Sequence, residues 1–104
     1  MEVDARVLLG QIDSNTAPTI LDVRSAKEFS EGHVPGALNI PFESVAARAH
    51  ELPGPRQSPM IVYCGHGPRA WMAGAALRRN GFTNVSYLEG HFSKWRSAGL
   101  PEER

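Results

Sequence analysis

Met60-Ile61-Val62-Tyr63-Cys64-Gly65-His66-Gly67-Pro68-Arg69-Ala70 is the stretch on which the fold is decided. Its first five residues make a nearly continuous apolar run of strand length, which marks a central strand covered on both faces. Gly65-His66-Gly67-Pro68 breaks that run, and residues 69–80, rich in Ala and Leu, read as a helix ended by Gly81. Upstream, Thr19-Ile20-Leu21-Asp22-Val23 is a β-branched strand bounded by Pro18, and Ala37-Leu38-Asn39-Ile40 is a shorter one halted by Pro41. Downstream, Val85-Ser86-Tyr87-Leu88 is a further strand. Between these lie helical segments: a first helix over 5–12, about two turns opened by the capping box Ser25-Ala26-Lys27-Glu28, a helix over 42–52, and a last one over 91–98. Strands alternating with helices through short connections predict an α/β domain with a mostly parallel sheet. Ligands of such sheets collect at the carboxyl ends of the strands, where Cys64 stands.

Taken as chemistry, the loop after Cys64 is built for an anion. With Gly67 as cap and Pro68 as first helical residue, the missing proline N–H costs nothing. The amides of Gly65, His66, Gly67, Arg69 and Ala70 are left free to converge on one point, at the positive end of the helix dipole. A sulfur at that point is expected to be a thiolate near neutral pH, because helix-terminal settings lower a cysteine pKa to about 3.5–7.5. Arg69 adds a permanent positive charge. The competing reading is an inert, buried strand-end cysteine, a common fate for that residue. A glycine loop at a helix mouth favours reactivity, since a structural cysteine has no need of one.

Composition narrows the function. The 104 residues are 41% hydrophobic and 21% charged, the size and make-up of one domain, residues 1–104, with its own core. Eleven basic residues balance eleven acidic ones, so no net charge gathers nucleic acid or an anionic membrane surface. A single cysteine excludes an intramolecular disulfide and a closed zinc site. No stretch approaches the roughly eighteen apolar residues of a membrane span. With no signal-peptide core near the amino terminus, a cytoplasmic location is expected.

From Ile20 to Trp95 the chain resembles the rhodanese family. The resemblance rests on Leu21-Asp22-Val23-Arg24, Glu28-Phe29, Gly32-His33-Val34-Pro35-Gly36-Ala37-Leu38-Asn39-Ile40-Pro41 and Val62-Tyr63-Cys64 with Gly67 and Arg69. Leu77, Gly81-Phe82, Asn84-Val85, Leu88, Gly90 and Trp95 continue it. It implies one rhodanese-like domain with a central five-stranded sheet and helices on both faces. It also implies a sulfurtransferase in which Cys64 takes sulfane sulfur from a small anionic donor such as thiosulfate. The Cys64 persulfide then passes it to cyanide or another thiophilic acceptor, including a thiol protein. Cys64 and Arg69 would be catalytic, with Gly65, His66, Gly67, Pro68 and Ala70 binding substrate, and neither a metal nor an organic cofactor is implied.

Four residues separate Cys64 from Arg69, as in sulfur-transferring members. The similar cell-cycle phosphatases and arsenate reductases carry one more, giving room for a tetrahedral oxyanion. A phosphatase or arsenate reductase is therefore the weaker rival, and a sulfur-carrier or redox-sensing module with low turnover the stronger. Two departures stand out: Ala70 where the family usually has a serine or threonine, and His91 in place of a second glycine after the last strand. His66 and His91 read first as bystanders, with an anion-binding or proton-donating role as the alternative. Asp22 and Arg24 are expected to brace the turn after the first predicted strand, and His33 to anchor the next turn. Trp71 and Met72 read as helix-flank packing, with an apolar rim for a larger substrate as the other option. Phe92 and Trp95 are expected in the core.

Overall fold

The computed structural model describes residues 1–104. Its strands are β1 (Glu2–Val3), β2 (Thr19–Asp22), β3 (Leu38–Asn39), β4 (Met60–Tyr63) and β5 (Val85–Leu88). Its helices are α1 (Ala5–Asp13), α2 (Ala26–Ser30), α3 (Val45–Arg48), α4 (Pro68–Arg79) and α5 (His91–Ser97). The five strands form one sheet in the order β1-β5-β4-β2-β3 with every pairing parallel, so β4 occupies the middle. That position explains its sequence: Met60 to Tyr63 are all buried, as a strand covered on both faces requires.

Alternation along β4 divides the core in two. Met60 and Val62 point into one layer with Leu21, Val23 and the small-residue face of α4, Ala70, Ala73, Ala76 and Leu77. Ile61 and Tyr63 point into the other, with Leu8 of α1 and Phe92 and Trp95 of α5. Alanines on α4 let that helix lie close against the sheet, which seats its amino terminus beside the end of β4.

One expectation is corrected. The helix expected over 42–52 is broken: α3 has four residues and is flanked by 3₁₀ turns at Phe42–Ser44 and Ala49–Glu51. Its apolar residues Val45 and Ala49 are nonetheless buried, so the periodicity marked the buried face but not the helix type. The short β1 had no local signal. It is held by its backbone register with Tyr87 and Leu88 of β5. No helix is long and apolar enough to cross a membrane.

Candidate active site

Cys64 follows β4 directly, and the chain curls through Gly65 and His66 into α4. The curl depends on Gly67, whose φ of +138° lies where L side chains are strained. A Cβ there would also press on the Trp71 ring at 3.0 Å. Pro68 takes the first helical position, as its fixed φ and missing N–H suit. The underside of the loop is pinned from α5: the Phe92 amide donates to the Cys64 carbonyl at 3.0 Å, and the Ser93 amide to that of Gly65 at 3.1 Å. With its carbonyls so occupied, the loop is free to turn amides inward.

The Gly67 amide donates to Cys64 Sγ at 3.0 Å. It is the only hydrogen bond the sulfur accepts; the Ala70 and His66 amides favour its charged form without closing such a bond, fewer amides than the five expected. Cys64 is fully covered, and burial pushes its thiol up. The His91 side chain and the Ala70, Gly67 and His66 amides outweigh that effect and bring the thiol down to about 7. Ala70 thus contributes through its main chain what it lacks as a hydroxyl. The His66 side chain is exposed and serves the site through its backbone.

The Arg69 guanidinium forms a two-point ion pair with Glu28, Nη1 to Oε1 at 2.7 Å and Nη2 to Oε2 at 3.1 Å, rather than a contact with the sulfur. One Nη still lies 3.2 Å from where a Cβ on Gly65 would be, so the charge sits over the loop. Glu28 is the functional residue that sequence reasoning missed. It was visible only as the capping-box partner of Ser25, a role it also fills through the Ser25 amide at 3.1 Å.

The Arg69 hydrogen bonds lead the effects that hold the Glu28 carboxyl at about 2; burial opposes them and the Ser25 amide and hydroxyl assist. Because the folded value lies below the ordinary 4.5, the carboxylate's stabilising effect is complete above 4.5 and is lost as pH falls toward 2. The pair is about one-third exposed, so solvent weakens it. Glu28→Gln is expected to destabilise by less than about 1 kcal/mol at neutral pH. Urea unfolding at a series of pH values should show that gap closing between 4.5 and 2.

The remaining candidates sort by distance from the loop. Asp22 and Arg24 are buried and face each other, Nη2 to Oδ2 at 2.7 Å, while Arg24 also donates to the Gly32 carbonyl at 2.7 Å. They tie the end of β2 to the end of α2, and the Arg24 guanidinium lies 4.2 Å over the Phe92 ring. His33 anchors its turn through Nδ1 against the Phe29 carbonyl at 2.8 Å. Phe92 and Trp95 are core. Trp71 and Met72, expected to pack on the helix flank, are instead 54% and 59% exposed, Trp71 beside Gly67 of the loop and Met72 in a groove with Phe42 and Ala46. His91, by contrast, is buried against Cys64, its Nδ1 accepting the Cys64 amide at 3.3 Å.

Similarity to known proteins agrees with this arrangement. The family described as Rhodanese-like domain matches residues 4–98. A protein named Sulfurtransferase from Allochromatium vinosum is 30% identical over 100 residues, covering 96% of this chain and 92% of that protein. Thiosulfate sulfurtransferase GlpE of Shewanella oneidensis is 33% identical over 90 residues, covering 86% of this chain and 87% of that one. Among solved structures, the Alr3790 protein from Anabaena superposes with a TM-score of 0.86 at 33% identity, over 97% of this chain and 80% of that one. Four longer relatives are matched over only 24% to 59% of their length.

Proposed function

The chain belongs to the rhodanese-like domain family, with sulfurtransferases among its relatives, and on that premise we propose that it transfers sulfane sulfur through a persulfide on Cys64. The observation that carries the reading is the Gly67 amide donating to one buried sulfur at the mouth of α4, with the His66 and Ala70 amides favouring its charged form. In the first half-reaction the Cys64 thiolate attacks the sulfane sulfur of thiosulfate. The S–S bond of the donor breaks, sulfite leaves with the bonding pair, and the outer sulfur of the new persulfide carries the negative charge. In the second, cyanide carbon or an acceptor thiolate attacks that outer sulfur, and the Cys64 thiolate departs, ready for another cycle. Electrons balance within each displacement, so no oxidant or reductant is consumed.

Catalysis on this account is electrostatic. Inward amides stabilise charge on sulfur before reaction and after it, with no reorganisation between the two states. Arg69, steadied by Glu28 over the loop, orients the anionic donor. Four residues between Cys64 and Arg69 favour sulfur over a tetrahedral phosphate or arsenate. Exposed Trp71 at the loop favours a protein thiol as acceptor, which would make the chain a carrier working with a partner.

Incubation with thiosulfate, followed by intact mass measurement, tests the reading. The protein is expected to gain one sulfur atom and to lose it to cyanide as thiocyanate. Absence of the added sulfur would overturn the proposal. A persistent added sulfur with negligible turnover would select the carrier form.

A further inference from the structure

His91 combines two costly features. Its φ of +54° places a non-glycine residue in the left-handed region, and its Nε2 is buried without a hydrogen-bond partner. The strained backbone does not serve the fold, since glycine would suit that φ better, and Nε2 has no partner within it. The ring is 3% exposed and stands edge-on to Trp71, with centroids 6.4 Å apart at 76°. Its Nδ1 accepts the Cys64 amide at 3.3 Å. An acceptor at Nδ1 puts the proton of the neutral ring on Nε2. The site therefore holds a buried N–H with nothing to donate to, on a ring held beside Cys64 by its amide.

We propose that His91 contacts the transferred sulfur itself, donating from Nε2 to the outer sulfur of the Cys64 persulfide while Nδ1 fixes the ring against the Cys64 amide. This rests on the persulfide reading above and extends it with a side-chain donor that the resting site leaves unused. The contact exists only after sulfur has been loaded. It therefore shifts the balance between loaded and empty protein, as a purely structural role would not.

Sulfite titration of the thiosulfate-loaded protein, read by intact mass, measures that balance. His91→Asn is the informative variant: Asn tolerates a left-handed backbone, and its Oδ1 can replace Nδ1 as acceptor while the Nε2 donor disappears. His91→Gly removes both contacts and relieves the backbone, but it also opens a cavity and leaves the buried Cys64 amide without its acceptor, so its thermal melting is expected below that of the parent protein. Both variants are expected to be half unloaded at a sulfite to thiosulfate ratio about tenfold lower than the parent, the size of one hydrogen bond to a charged group. Parent-like unloading in His91→Asn would overturn the inference whatever the glycine variant does. A parent protein that takes up no sulfur would instead overturn the persulfide reading, and this inference with it.

Discussion

Replacing Cys64 with serine is expected to lower thiocyanate formation from thiosulfate and cyanide by on the order of a thousandfold or more, with the fold intact. The substitution is conservative in size, and a hydroxyl oxygen can still accept the Gly67 amide that now donates to sulfur at 3.0 Å. What it loses is chemistry. The His91 side chain and the amides that, against burial, bring a thiol down to about 7 cannot make an alkoxide at neutral pH, and oxygen forms no persulfide. Steady-state assay beside circular dichroism separates the two effects. Retention of more than about a tenth of the activity would mean that another group carries the sulfur, contrary to the role of Cys64 as nucleophile.

Asp22→Ala is expected to cost about 3–5 kcal/mol, because it leaves a buried charge without its partner. Asp22 is fully buried and Arg24 is 5% exposed. The carboxylate accepts from the Arg24 amide at 2.9 Å and from its guanidinium at 2.7 Å. Without it the guanidinium keeps only the Gly32 carbonyl and the faces of Phe92 and Tyr63. A small domain is stable by about 5–15 kcal/mol in all, so the loss should be plain in a urea midpoint. Adding Arg24→Leu is expected to recover part of the loss by removing the stranded charge. Failure of the second change to recover anything would place the cost in lost backbone contacts instead. The effect should reach the site as well, since Phe92 lies under Arg24 and its amide holds the Cys64 carbonyl.

Sequence reading succeeded where the determining interactions are local. Met60 to Ala70 carries its own punctuation: an apolar run, two glycines and a proline fix the strand, loop and helix start within eleven residues. Ser25 and Glu28 likewise announced the start of α2, since a capping box spans a single turn. The pairing of Glu28 with Arg69 crosses 41 residues, and nothing near either one encodes it. Two-residue β1 is similarly invisible, being a strand only because β5 offers it an edge. His91 stood out as a departure from glycine, but its inward position follows from the left-handed turn at Gly90 and His91, which residue type alone argues against. Nothing adjacent to Trp71 in sequence separates helix-flank packing from an exposed rim. Here the ring lies over Gly67 and remains open to solvent.

All of the chemistry depends on the loop holding Cys64 ionised near neutrality against a burial that would keep it protonated. The rate of Cys64 alkylation by iodoacetamide as a function of pH reads this directly, because the thiolate is the reacting form and the chain has no other cysteine. A single inflection at about 7 is the predicted result. An inflection at the free-thiol value of about 8.5 or above would show that burial prevails and that the amides do not hold the charge.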